Sequence, residues 1–330
     1  MRLTEGFEQF HDNIALSSLS EERINRAWGR LHRHLTQTYG LSASFVYIQG
    51  SYANDTAVKP ADSDGEYDLD IICLCADADA EAEAAINDLT AVLSRDADLE
   101  SRVEPNESGR PCVRLRYADD PDGFGFHVDI VPARGEDPAA VIEVPIRGFE
   151  DWRESAPFLY TQWCRSQPER FSRLVRFLKR WRDEHGDGSI ASITLQVLSA
   201  TYLVTEATSD AEAVTATLEA IQAFLDSSPD SPPEIPNPVL KSESLADRWK
   251  DEDYRGFRRE LAEAVDLAQR ALQSPDEVMS HTLWRELFGD DFPGSPQGVE
   301  RPGSEGPPPI PSAPDRPGPR QQAPEDERYG

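Results

Sequence analysis

The most constraining feature of this 330-residue chain is the octet DLDIICLC at positions 68–75, where two carboxylates alternate with apolar residues before an apolar run. Side chains alternate across a β-strand, so Asp68 and Asp70 share one face while Leu69, Ile71 and Cys73 share the core face. Carboxylates held that close repel each other and are costly to keep ionised without a cation between them. Magnesium, which takes oxygen ligands and retains several waters, is the natural partner, with substrate phosphates completing its shell. A second strand pattern, FHVDIVP at 126–132, puts Phe126, Val128 and Ile130 on a core face and Asp129 on the opposite one. If the two strands are neighbours, Asp129 joins Asp68 and Asp70, and three strand-borne carboxylates can hold two divalent ions about 4 Å apart.

Around these strands the pattern is mixed. Ser18 and Glu21 have capping-box spacing ahead of an amphipathic helix whose inward face is Ile24, Ala27, Trp28, Leu31 and Leu35. The β-branched and aromatic run SASFVYIQ predicts a strand ending in a tight turn at Gly50-Ser51. Residues 78–95 read as a helix and CVRLRY (112–117) as a further strand. Beyond about residue 150 strand signals fade and helices dominate to residue 288. The clearest is FSRLVRFLKRWRDEHG, with Phe171, Leu174, Val175 and Leu178 on one stripe and Gly186 as its stop. Residues 293–330 hold 11 of the 26 prolines and six glycines with almost nothing apolar to bury, which predicts disorder. The expected fold class is α+β. Its organisation is a lobe with a mixed sheet (1–150, including the N-terminal helix), a mainly helical lobe (151–288) and a disordered tail rich in Pro and Gly (289–330).

Composition narrows the partners. No run of 18 apolar residues occurs and the start, MRLTEGFEQFHDN, lacks the regions of a signal peptide, so a soluble, cytoplasmic protein without a membrane partner is expected. The four cysteines, at 73, 75, 112 and 164, are too few and too poorly spaced for a disulfide framework or a four-cysteine zinc site, and read as buried thiols. A formal net charge of -28 makes long nucleic acid a poor partner.

Gly50-Ser51 supplies a phosphate side to the carboxylates, since glycine lets the backbone approach closely and the turn can aim amides and a hydroxyl at phosphate oxygens. The combination of strand, Gly-Ser, a 16-residue gap, Asp-Leu-Asp and a lone Asp in another strand is specific. GSYANDTAVKPADSDGEYDLDIICLC followed by FHVDIVPA resembles the polymerase-β-type nucleotidyltransferase superfamily, and QGSYANDTAVKP leading into YDLDI resembles the bacterial cGAS/DncV-like nucleotidyltransferases. The resemblance covers roughly residues 10–285. It implies a polymerase-β-like catalytic lobe and synthesis of a cyclic di- or trinucleotide messenger in anti-phage defence. ATP, with GTP, CTP or UTP as further candidates, would be the substrate, and two Mg²⁺ ions, or Mn²⁺, the cofactors. Asp68, Asp70 and Asp129 would be catalytic metal ligands and Gly50 and Ser51 would bind the triphosphate. The family also uses a lysine on a long helix of the second lobe and a serine opening the next helix, which match Lys179 and Ser192. A solvated helix face is the alternative for Lys179, and a helix cap for Ser192.

Asp62, Asp64 and Glu66 read as solvated loop acids, His127 as a hydrogen-bonded structural histidine, and Arg114 and Arg116 as a source of surface ion pairs. Nucleotidyl transfer to a protein or an antibiotic needs the same carboxylates and stays open, as does an inactive nucleotide-binding regulator. Some members of the resembled family have their C-terminus joined to other molecules by ubiquitin-like transfer enzymes. That raises conjugation through Gly330, with a plain solubilising tail as the alternative.

Overall fold

The computed structural model describes residues 1–296 apart from 63–64, 121–122, 149–150, 186–189 and 248. The chain opens with helices α1 (Thr4–Ile14) and α2 (Ser18–Tyr39), a 3-10 turn, strand β1 (Val46–Gln49), the single helical turn α3 (Gly50–Ala53) and strand β2 (Glu66–Leu74). Helices α4 (Ala82–Leu93) and α5 (Ala97–Glu100) lead to β3 (Val113–Tyr117), β4 (Gly125–Ala133), β5 (Ile142–Pro145) and β6 (Trp152–Ser155). Helices follow: α6 (Pro157–Arg165), α7 (Arg170–His185), α8 (Ser192–Tyr202), α9 (Asp210–Leu225), α10 (Asp251–Gln273) and α11 (Glu277–Phe288). This is the α+β class expected.

The main sheet has the order β1-β2-β4-β3, with β2 and β4 parallel and the outer pairs antiparallel. A parallel pair needs a long crossover, here the segment carrying α4, α5 and β3. Odd-numbered β2 residues and even-numbered β4 residues form one face: Leu69, Ile71, Cys73, Phe126, Val128 and Ile130 pack with Ile24, Leu31 and Leu35 of α2 and Leu89 of α4. On the other face the strands change character along their length. Glu66, Asp68 and Asp70 give way to Ile72 and Leu74, which pack with Val131, Ile142 and Val144. The hairpin of β5 and β6 is thus needed to cover the apolar half of that face, leaving the acidic half for chemistry.

The structure departs from the sequence expectation in four places. The cap of α2 is Ser17, whose hydroxyl accepts from the Ser20 amide, so Glu21 does not complete a capping box with Ser18. Glu66 belongs to β2 rather than to a solvated loop. The hairpin of β5 and β6 carries too short an alternation, with Pro145 at its edge, to declare itself in sequence. Phe292, assigned to the disordered tail, is fully buried, and Asp291 pairs with Lys59 at 2.8 Å. The remaining tail, with Gly330, and the stop at Gly186 lie outside the described residues, as does Asp64. Among the described residues no helix is long and apolar enough to cross a membrane, and Cys73, Cys112 and Cys164 are buried free thiols while Cys75 is partly buried.

The helical core has an aromatic centre. Phe10 stacks on Phe177 and Phe288 with ring centroids 5.1 and 4.6 Å apart, and Phe7 meets Trp284 edge-on at 4.9 Å. Helix α1 thereby joins the core of α7 and α11, even though it begins the chain. Truncating Phe10 to alanine removes a fully buried ring from that centre and should cost about 3–5 kcal/mol, read as a lowered urea midpoint with an unchanged slope.

Candidate active site

Register builds the site. Reading across the four strands, Gln49 pairs with Asp70, Asp70 with Asp129, and Asp129 with Arg114. One step along, Asp68 pairs with His127 and His127 with Arg116. The alternation of each strand puts these side chains on one face, so the structure brings Asp68, Asp70 and Asp129 together as two adjacent rows.

Gly50 sits against this face. Its φ of +73° lies in the left-handed region, and a Cβ there would fall 2.2 Å from Asp70 Oδ2. Both the conformation and the close approach of the Asp70 carboxylate therefore demand glycine. Thr56, fully buried, ties the turn shut by donating its amide to the Ser51 carbonyl at 2.9 Å.

Asp129 is 0% exposed and Arg114 7%. Arg114 donates from Nε and Nη2 to the two Asp129 oxygens, each at 2.7 Å. A bidentate guanidinium offsets the cost of burying the carboxylate. This is a buried pair, not the surface one expected for Arg114; Arg116, half-exposed, does make surface pairs, with Glu66 and Glu104. His127 is buried with Nδ1 3.1 Å from Glu66 Oε2 and Nε2 3.9 Å from Asp129 Oδ2. Its hydrogen bond, ahead of that from Arg116, holds the Glu66 carboxyl down at about 2, so His127 is hydrogen-bonded as expected of a structural histidine.

Lys179 is no part of a solvated face. It is 6% exposed, donates from Nζ to the Thr56 carbonyl at 3.1 Å, and burial pushes its ammonium down to about 8 while Asp68 pulls the other way. Ser192 opens α8 and its hydroxyl accepts from Arg182 Nη1 at 2.9 Å. The sequence reading missed Arg182, three residues beyond Lys179 and so on the same helix side.

The donor set fits a hard cation: three carboxylates on one sheet face with no soft ligand among them. Among the described residues, no group of three His, Cys, Asp or Glu side chains is gathered tightly enough to hold an ion as it stands. Asp129 is turned toward Arg114 instead, although a carboxylate bound by one guanidinium keeps further lone-pair sites.

The site thus combines in-register carboxylates on a mixed sheet, a glycine turn against them and a lysine of α7 that reaches the segment after that turn. Residues 1–167 match the family model described as the Second Messenger Oligonucleotide or Dinucleotide Synthetase domain, SMODS, and the chain belongs to this family. It is 26% identical over 188 residues to a cyclic AMP-AMP-GMP synthase of Enterobacter hormaechei subsp. hoffmannii, covering 53% of this chain and about half, 49%, of that relative. A c-di-GMP synthase of Roseivirga ehrenbergii is 24% identical over 315 residues, 82% of this chain and 79% of the relative. The fold is similar to that of the Bradyrhizobium diazoefficiens CD-NTase CdnG solved in complex with GTP, with a TM-score of 0.69 at 19% identity over 86% of this chain and 95% of that one.

The depressed ammonium gives a pH test. Between about 8 and 10.5 the unfolded chain binds a proton at residue 179 that the folded chain has released, so stability attributable to this residue rises with pH through that window and is constant at its lowest value below it. Wild type should gain stability relative to Lys179→Met as pH rises from 8 to 10.5, read from urea midpoints of both proteins. Parallel curves would show that residue 179 is not buried as an ammonium.

Proposed function

We propose that the chain joins nucleoside triphosphates by attack of a ribose hydroxyl on an α-phosphate and closes the product into a cyclic di- or trinucleotide messenger of anti-phage defence. The observation that carries the reading is the alignment of Asp70 with Asp129 across the parallel pair, with Asp68 on the same face and Gly50 pressed against Asp70. Membership of a synthetase family, and relatives named for cyclic products, support the same chemistry.

In this reading Asp68 and Asp70 would hold two magnesium ions, or manganese, with Asp129 as the third carboxylate ligand. Such ions, when bound, favour a hydroxyl's deprotonation and offset charge on the triphosphate. The hydroxyl releases its proton to solvent as its oxygen forms a bond to the α-phosphorus, the bond to the bridging oxygen breaks, and pyrophosphate leaves with that oxygen. Gly50 and Ser51 aim backbone and hydroxyl at the phosphates, and Lys179 and Ser192 complete the pocket from the second lobe. Arg114 fixes the plane of Asp129 so that it need not be rebuilt each turnover.

Incubation with all four ribonucleoside triphosphates and Mg²⁺ or Mn²⁺ should yield pyrophosphate and a cyclic product by mass spectrometry. Asp68→Asn combined with Asp70→Asn should reduce product to background while circular dichroism stays unchanged. Undiminished turnover in that double variant would sink the proposal.

A further inference from the structure

Residues 53–59, between the phosphate turn and β2, are gripped almost residue by residue from the helical lobe. Arg165 of α6 donates to the Ala53 carbonyl at 3.3 Å and Thr161 of α6 to Asn54 Oδ1 at 2.8 Å. From α7, Arg176 bonds Asp55, Lys179 reaches the Thr56 carbonyl, and Arg180 donates to the Lys59 carbonyl at 2.7 Å. Positions 176, 179 and 180 fall on one side of a helix, so α7 presents a cationic edge along the segment.

The grip reaches the turn. Asn54 donates its amide to the Gly50 carbonyl at 3.1 Å, Asp55 to Tyr52 at 3.3 Å and Thr56 to Ser51 at 2.9 Å. Asp55 adopts a left-handed φ of 56°, a conformation that aspartate tolerates but most side chains resist, and it is the residue that Arg176 holds. The guanidinium of Arg180 is 0% exposed and lies 3.3 Å from Asp291 and 4.0 Å from Glu184, while Nε and Nη1 make no hydrogen bond among the described residues. A buried ion pair is by itself a poor way to gain stability; what this one adds is a fixed position for the Lys59 carbonyl.

We propose that residues 53–59 are a strap through which the helical lobe sets the Gly50–Ser51 turn. Thr161, Arg165, Arg176 and Arg180 are then positioning residues for nucleotide binding although the contacts they make are to the strap. The coupling rests on the reading of that turn as the phosphate site. It means that nucleotide affinity is set partly by α6 and α7, and that any displacement of those helices is felt at the turn.

The test uses the full chain with Thr161→Val, which keeps shape and removes one hydrogen bond, its rescue Thr161→Ser, and the independent Arg176→Gln. Amide hydrogen exchange without nucleotide should speed up over residues 50–58 in Thr161→Val and Arg176→Gln, with peptides from α10 unchanged, and return to wild type in Thr161→Ser. The dissociation constant for a non-hydrolysable ATP analogue should rise about fivefold, as expected for loss of one hydrogen bond, with kcat at saturation retained. Unchanged exchange over 50–58, or faster exchange with unchanged affinity, would overturn the strap. Wild-type protein that binds none of the four triphosphates would instead overturn the nucleotidyl-transfer reading, and the exchange data would still decide whether the helices hold the turn.

Discussion

Everything at the candidate site depends on the parallel pairing of β2 with β4. Had the register slipped by one residue, Asp70 would face a core position of β4 and the acidic row would dissolve. The register is held by the apolar residues between the acids, since Leu69, Ile71, Val128 and Ile130 are all fully buried against α2 and α4. The hydrophobic core and the acidic row are therefore two readings of a single alternation, and neither can move without the other.

That arrangement carries an electrostatic cost, which Arg114 offsets. Three carboxylates on one face of a sheet repel, and the one buried completely is the one matched by a bidentate guanidinium from the adjacent strand. The guanidinium thus offsets the complete burial of Asp129, while Asp68 is only partly buried. On the other side of the site the lysine of α7 donates a hydrogen bond to a backbone carbonyl of the turn-bearing segment. Helices α6 and α7 meet that segment through charged side chains and main-chain carbonyls, and Val58 packs on the helical core.

Period-two alternation made Asp68, Asp70 and Asp129 legible in the sequence, because an acid opposite a run of core residues has few structural uses. The same alternation made the core residues of β2 and β4 legible, and the 3.6-residue stripe did so for α7. What escaped were features fixed by contacts distant in sequence. Arg114 looked like any strand-borne arginine until β3 was laid beside β4, and Lys179 lies outside the apolar stripe yet is buried by the strap passing over it. Phe292 sits among prolines and glycines, and only the aromatic cluster of Phe7, Phe10 and Phe288 shows why it is ordered. The cap of α2 was misplaced by one residue because three serines stand within four positions, and local chemistry does not choose among them.

The central claim is that Asp68, Asp70 and Asp129 hold divalent ions beneath a triphosphate seated on Gly50 and Ser51. Its most direct test is diffraction from crystals grown with Mn²⁺ and a non-hydrolysable nucleoside triphosphate, recorded at the manganese absorption edge. Anomalous density between Asp68 and Asp70 and beside Asp129, with the phosphates over the glycine turn, is the predicted result. Manganese bound away from these carboxylates, or a triphosphate seated elsewhere on the protein, would contradict it.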